Sequence, residues 1–475
     1  MRKNKKFVAV LSTAAFMTMT MASMAFAAQP GWTQEDGDWY FYKNSGEYVE
    51  NTWKQSGDYW FYLGDDGKMV TDSFIDDDGD YYYVNADGVM SVNQWRYIET
   101  DDTDGESRWY YFGANGKAYT DGSSDKASLK EINGKKYIFD EYGIMQYGWV
   151  DENGKMIDSD DEDGWKDAVY YCGDEQDGAV AEGWRALDVD NDDDEDYPGY
   201  YWFYFKSNGK KTVDINDKEI NGKRYGFDEN GAMLYEFADV SDVASGSNAV
   251  TAYKYYQDFD NGANKRSGWF KAIPDENINP DGYDEGEEKW FYANSNGTLK
   301  ASTLSSINGK KYAFNEYGEM LHGLIGLELD GNTIVSYTDE IECEDDLLDI
   351  DGTDYVVYYF GDEDDGAMKK SGTTIEIDGE DYKYEFKSNG EGREGIYKDV
   401  IYVKGRRIEA DTDQGYIMVE ADGTETDEVG TAYLINTSGK IQKNKKNAKD
   451  KDDMYYCTNS DGVVTYMGSE KYVAE

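Results

Sequence analysis

The sequence predicts an all-β chain, a solenoid of stacked β-hairpins, on three observations. One segment recurs at a near-constant interval: EINGKKYIFDEYGIM from Glu131 to Met145, EINGKRYGFDENGAM from Glu219 to Met233 and SINGKKYAFNEYGEM from Ser306 to Met320, with starts 88 and 87 residues apart. Each copy is built round an Asn-Gly dipeptide flanked by alternating apolar residues, the sequence sign of a type I′ hairpin turn. Elsewhere aromatic residues are paired seven apart: Trp32 with Trp39, Trp53 with Trp60, Phe74 with Tyr81. Such a chain buries the apolar face of each unit against its neighbour, which puts binding in the grooves between units.

The elements follow in order. Arg2, Lys3, Lys5 and Lys6 precede an apolar run from Phe7 to Met24 and the small-x-small site Ala25-Phe26-Ala27, the pattern of a secretory signal peptide over 1–27. Without its four basic residues the net charge of −52 becomes −56. That charge repels phosphate backbones and anionic lipid, so nucleic acid is excluded as a partner and cationic ligands are favoured. No later stretch is apolar for long enough to span a bilayer, so no membrane insertion is expected after signal cleavage. Low hydrophobicity with high charge would point to disorder, but 44 Tyr and 12 Trp provide rings that can hold a thin sheet layer together.

From 28 to 395 the chain reads as the hairpin array. Each offset-seven pair straddles a tight turn, with one ring on each strand. From about residue 95 three hairpin types alternate. A long Trp hairpin (Trp95 to Trp109, Trp184 to Trp202, Trp269 to Trp290) precedes the short Asn-Gly hairpin. A second long type then ends in Val169-Tyr170-Tyr171, Tyr253-Lys254-Tyr255-Tyr256 or Val357-Tyr358-Tyr359-Phe360. The extra length is acidic, as in Glu99 to Ser107, Asp188 to Asp196 and Asp275 to Glu288, and reads as solvated hairpin tips. Over 396–475 the pattern weakens and a basic run from Lys443 to Lys451 intervenes. Terminal repeats must cap an open edge, so this part reads as divergent repeats forming a cap. Four prolines in the whole chain give no Pro-rich linker to a second domain.

The units Gly31-Trp32…Trp39-Tyr40-Phe41-Tyr42…Gly46, Thr52-Trp53…Trp60-Phe61-Tyr62…Gly67-Lys68-Met69-Val70-Thr71 and Ile132-Asn133-Gly134-Lys135-Lys136-Tyr137…Gly143-Ile144-Met145…Gly148-Trp149 resemble the choline-binding, or cell-wall-binding, repeat family. Repeats of glucan-binding domains and of some toxin receptor-binding regions are similar too. The resemblance implies a left-handed superhelix with about three hairpins per turn, held noncovalently on choline of teichoic acids. It also implies cages made of two aromatics of one hairpin, an aromatic of the next and often the Met. Carried over by motif, the cage residues are Trp32 with Trp39, Trp53 with Trp60, Phe74 with Tyr81, Trp95 with Trp109, Trp184 with Trp202 and Trp269 with Trp290. Met69, Met90, Met145, Met233 and Met320 are candidate walls. Aromatic faces attract a quaternary ammonium through their quadrupole, and weak sites repeated along one polymer gain avidity from effective concentration.

Catalysis finds little to stand on. His322 is the sole histidine, while a zinc amidase or Cys-His peptidase needs a His among other fixed groups. Cys172, Cys343 and Cys457 are too few and too scattered for a disulfide framework or a zinc site. The acidic run from Asp188 has Asp193 where an EF-hand loop requires Gly. The expectation is a secreted, noncatalytic protein of the cell wall or cell surface, with no cofactor and no metal. Its partner is a wall polymer, through teichoic-acid choline or glycan. The alternatives are a glucan- or host-glycan-binding adhesin and, less favoured, an autolysin-type enzyme. Lys135-Lys136, Lys223-Arg224 and Lys310-Lys311 each follow an Asn-Gly turn and suggest a basic stripe for polymer phosphate, or charges that only offset self-repulsion.

Overall fold

A computed structural model describes residues 30–99, 105–122, 126–189, 199–240, 249–259, 267–343, 346–347, 350 and 354–473. The expected signal peptide, 1–27, lies outside the described residues, as do 100–104 and 190–198 within two of the acidic tips. The chain divides into two units, 1–212 and 213–475.

Seven antiparallel hairpins follow one another among the described residues of the first unit. Their strands are Gly31–Glu35 with Asp38–Tyr42, Thr52–Ser56 with Tyr59–Leu63, Ser73–Asp77 with Asp80–Val84, and Gln94–Glu99 with Ser107–Phe112. Lys130–Ile132 with Lys135–Tyr137, Trp149–Val150 with Tyr170–Tyr171, and Gly183–Leu187 with Tyr201–Phe205 complete the series. Three of the turn dipeptides have the positive φ pair that type I′ requires: Asp36 +50° with Gly37 +99°, Asp78 +60° with Gly79 +82°, Asn133 +52° with Gly134 +79°. In six of the seven the chain after the second strand makes another small turn and returns as a single bridge, for example Leu63 with Met69, Val84 with Met90 and Phe139 with Met145.

That returning residue joins one hairpin to the one before. The N–H of Met69 donates to the carbonyl of Trp39 at 2.7 Å, Met90 to Trp60 at 2.9 Å, Ala118 to Tyr81 at 2.7 Å and Met145 to Trp109 at 2.8 Å. Val180 donates to Lys136 at 2.9 Å and Lys211 to Val169 at 2.8 Å. One such bond contributes only about 1 kcal/mol net, so ring packing between hairpins supplies the rest. A third device sets the spacing: the glycine of each second turn lies on the returning side chain of the preceding hairpin. A Cβ on Gly88 would stand 2.9 Å from Met69, on Gly116 2.5 Å from Met90, on Gly178 2.3 Å from Met145 and on Gly209 2.4 Å from Val180.

The second unit repeats these rules. Ile215–Ile220 pairs with Lys223–Phe227, Phe237–Asp239 with Tyr253–Tyr255, and Gly268–Ala272 with Lys289–Ala293. The acidic segment from Asp275 to Glu288, expected as a solvated tip, instead folds into the helix Pro280–Glu285. Asn279 caps it, accepting from the Gly282 N–H at 3.2 Å, and Ile278 is buried beneath it with Phe270 and Phe291. Farther on, hairpins merge. Thr303–Ile307, Lys310–Phe314, Leu324–Asp330, Thr333–Tyr337 and Val356–Tyr359 form one five-stranded sheet, and Ser371–Ile377, Glu380–Phe386, Gly395–Tyr397, Val400–Val403 and Arg406–Arg407 form another. The joining bond persists: Met320 donates to Trp290 and Met368 to Lys311 at 2.8 Å, Gly392 to Val357 at 2.7 Å and Ile441 to Asp399 at 2.9 Å. All three cysteines are free thiols; burial lifts that of Cys172 to about 12. No helix among the described residues is long and apolar enough to cross a membrane.

The second turns are held by an Asx side chain. Asn85, Asn315, Asn436 and Asn459 each accept the N–H groups two and four residues on, and Asp140 does the same with Tyr142 and Ile144. Burial raises the Asp140 carboxyl from 3.8 to about 6 in spite of those donors. An acid with a raised folded value binds its proton more tightly folded than unfolded. Its charge therefore weakens the fold above about pH 6, and that penalty disappears as pH falls toward about 4. Asp140→Asn is expected to stabilise the chain by about 1 to 2 kcal/mol at pH 7 and to have little effect near pH 4. Denaturant unfolding at the two pH values checks this; equal effects at both would rule it out.

Candidate functional site

The paired rings of each hairpin lie on one face, but not directly opposite. A two-residue turn sets Trp32 opposite Phe41, Trp53 opposite Tyr62 and Phe74 opposite Tyr83, so Trp39, Trp60 and Tyr81 sit one diagonal step away. The long hairpins keep the relation: Trp95 faces Tyr111, Trp184 faces Tyr204 and Trp269 faces Tyr292, with Trp109, Trp202 and Trp290 diagonal. The diagonal partner is also the residue whose carbonyl holds the next hairpin at Trp39, Trp60, Tyr81, Trp109 and Trp290. Its ring is thereby fixed at the junction.

A third ring comes from the following hairpin. Trp32 meets Phe61 at 5.3 Å between centroids, Trp53 meets Tyr82 at 4.9 Å, Phe74 meets Tyr110 at 5.2 Å, Trp95 meets Tyr137 at 4.8 Å and Trp269 meets Tyr312 at 4.7 Å. None of these third rings was named from the sequence, although each stands one residue after the diagonal position of its own hairpin. Two sites match closely. Trp95 and Trp109 stand at 6.3 Å and 85°, Trp269 and Trp290 at 6.3 Å and 87°; the third rings meet at 64° and 65°; Phe139 and Phe314 stack behind at 5.8 and 5.7 Å, both at 28°. Trp184 and Trp202, in the last hairpin of the first unit, repeat the pair at 6.3 Å and 83°.

The sites differ in openness. At the second junction Trp60 is 40% exposed and the Trp53 indole N–H donates to Asp77 at 3.1 Å; burial first, then the Asp77 charge, pushes the Tyr62 phenol up. At the third junction Phe74 and Tyr81 stack at 5.4 Å and 28°, so the faces turned toward each other are covered, and Ala118 occupies the Met position. Met69 and Met90 are half-buried, each laid against the glycine of the next turn. Met145 and Met320 are buried among the rings of their sites, and Met233 is buried as well.

Acidic loops stand over the two matching sites. Over the first, Tyr97 packs on Trp109 at 5.1 Å and its hydroxyl donates to Glu175 at 3.3 Å, while Asp177 pairs with Lys135 at 2.8 Å. Over the second, Asp364 accepts from the Trp290 indole at 3.1 Å, and Lys271, paired with Glu363 at 3.1 Å, lies 5.9 Å from the Trp290 ring. The cations expected to form a stripe are largely engaged: Lys136 pairs with Glu182 at 2.7 Å, Arg224 with Asp217 at 2.7 Å and Lys310 with Asp365 at 3.7 Å. Each of these three partly neutralises a neighbouring carboxylate. His322 lies 3.3 Å from Glu340 in a cleft beside Trp290 and Tyr337.

A family profile for the choline-binding repeat matches residues 47–89, and one for the cell wall binding repeat matches residues 103–118. The first takes in Trp53, Trp60 and Tyr82, the second Trp109. Comparison with curated proteins finds no match. Among solved structures the chain is similar to the modular autolysin LytC of Streptococcus pneumoniae, solved with a synthetic peptidoglycan ligand, at 19% identity over 63% of this chain and 55% of that one, with a TM-score of 0.34. It thus spans just over half the length of that autolysin. Choline binding protein F of the same organism is 20% identical over 77% of this chain and all of its own, with a TM-score of 0.34. The choline binding domain of Spr1274, also from that organism, is 34% identical over 20% of this chain and 99% of its own, with a TM-score of 0.16.

Proposed function

Because models of the choline-binding and cell wall binding repeats match two parts of the chain, we propose that it is a member of that repeat family and a secreted, noncatalytic protein that attaches to the cell envelope through choline-type groups of a wall polymer. The array would occupy 28–395 and the cap 396–475. The observation that carries this reading is the repeated three-ring site, Trp95, Trp109 and Tyr137 against Trp269, Trp290 and Tyr312. Three aromatic rings gathered at one junction, with carboxylates beside them, would suit a cation that cannot donate a hydrogen bond. Each contact contributes about 0.5 to 2 kcal/mol depending on desolvation, so one site alone reaches about millimolar affinity. Several sites on one polymer raise retention well beyond that.

The open junction of Trp53, Trp60 and Tyr82 is the first site to test, with Trp32, Trp39 and Phe61 beside it. Millimolar choline is expected to elute the mature protein from cells and to raise its melting temperature, since a ligand that binds only the folded chain stabilises it by mass action. Elution and melting in choline, in a glucan oligomer and in sodium chloride check this. A response to the glucan alone would favour the glycan reading. Clearing of a wall substrate in a zymogram would overturn the noncatalytic one.

A further inference from the structure

One junction of the first unit already holds a cation. Met69, Met90 and Met145 stand two residues past Gly67, Gly88 and Gly143, but Lys211 stands two past Gly209. Its backbone keeps the usual place, bridged to Phe205 and donating to the Val169 carbonyl at 2.8 Å. Its side chain is 5% exposed, and a buried ammonium is costly unless its donors and charge are met. They are met. The ammonium donates to the carbonyls of Trp165 at 2.6 Å and Lys166 at 3.2 Å, and lies 5.5, 5.9 and 6.0 Å from the ring centroids of Trp149, Trp165 and Phe203.

Two of those rings hold the standard site positions. Trp149 opens the sixth hairpin, Phe203 occupies the third-ring position of the seventh, and they meet at 5.3 Å, as Trp32 meets Phe61. The added ring, Trp165, is carried by the short helix Gly164–Asp167. Carbonyls in the last turn of a helix lack intrahelical donors, so this short helix delivers acceptors together with a ring.

We infer that Lys211 is a built-in ligand: the chain's own primary ammonium fills the aromatic cage between the sixth and seventh hairpins, and this cage selects primary alkylammonium groups over quaternary ones. The selectivity follows from the two carbonyls. A primary ammonium brings three N–H donors, whereas a quaternary one brings none and would leave both buried acceptors unpaired. The inference does not depend on what the other junctions bind.

The test is rescue by a small amine. The full chain with Lys211→Ala is melted beside wild type in ethylammonium, tetramethylammonium or sodium chloride at matched ionic strength. The gap between variant and wild type is read in each salt, which cancels any effect at other sites. The expected result is a variant melting several degrees lower in sodium, a gap at least about half closed by ethylammonium, by mass action on the vacated cage, and no closure by tetramethylammonium. Lys211→Met, which refills the space with an apolar chain, should show no ethylammonium rescue. Equal melting of Lys211→Ala and wild type, or equal closure in all three salts, overturns the inference. Should Lys211→Ala fail to fold, amine acylation of the wild-type chain decides. Lys211 should react at least about tenfold more slowly than the exposed Lys126, since only local opening can free it, and equal rates overturn the inference.

Discussion

Gly209→Ala is expected to destabilise the first unit by about 2 to 5 kcal/mol, among the largest effects of any single methyl group added to this chain. Two costs add. Gly209 has φ +80°, where a residue with a Cβ loses about 1 to 2 kcal/mol. The new Cβ would also lie 2.4 Å from Val180 Cγ1, and forcing an extra carbon into a packed contact costs about 1 to 3 kcal/mol. Val180 is β-branched and stiff at χ1, so it cannot step aside as a methionine can. Gly116→Ala, whose neighbour is the flexible end of Met90, should therefore cost less although its φ of +78° is nearly the same. Val180→Ala in the Gly209→Ala background should recover the steric part and leave the backbone part. Denaturant melts of the two singles and the double give the coupling directly. Strict additivity would mean that the glycine does not rest on the valine.

Trp60→Ala should separate binding from folding. The ring is 40% exposed, and its structural duty, accepting the Met90 N–H, is carried by its backbone carbonyl. Stability should therefore fall by less than about 1 kcal/mol, within the range of surface substitutions. Choline affinity at that junction should fall about tenfold or more if it binds as proposed, because one of its three rings is lost. Trp53→Ala should do both kinds of damage, since its ring packs on Tyr62 and Tyr82 and its indole holds Asp77. Choline titration by tryptophan fluorescence, beside a thermal melt, reads the two separately. Unfolding of Trp60→Ala would make that ring structural.

What was legible in the sequence was what is written locally. The Asn133-Gly134 turn, the offset of the Trp pairs and the three hairpin types each depend on residues close in the chain or on a strict two-residue period. The ring partners across junctions were not legible. Which residue of one hairpin meets the next depends on how the two are rotated, and no local pattern fixes that. A signal did exist: Phe61, Tyr82, Tyr110, Tyr137 and Tyr312 all occupy the same repeat position. The packing of Met69, Met90 and Met145 on Gly88, Gly116 and Gly178 was not legible either, because a close-approach point leaves no trace beyond the glycine itself. The helix Pro280–Glu285 has its start signal in Asn279 followed by proline, but the acidic composition of the segment is equally that of a solvated loop. Lys211 was missed because a lysine among polar residues reads as surface, and only the fold turns it inward.

The joining bond between hairpins runs from one backbone to another. Its acceptors belong to Trp39, Trp60, Tyr81, Trp109, Lys136 and Val169 in the first unit, which share neither size, charge nor polarity. The side chain at the place that presents the diagonal ring is therefore not needed to hold the stack. A change there can open, close or fill a junction while the next hairpin keeps its register. Under the proposed function, sequence drift at that place would change ligand preference one junction at a time, each step passing through a folded protein.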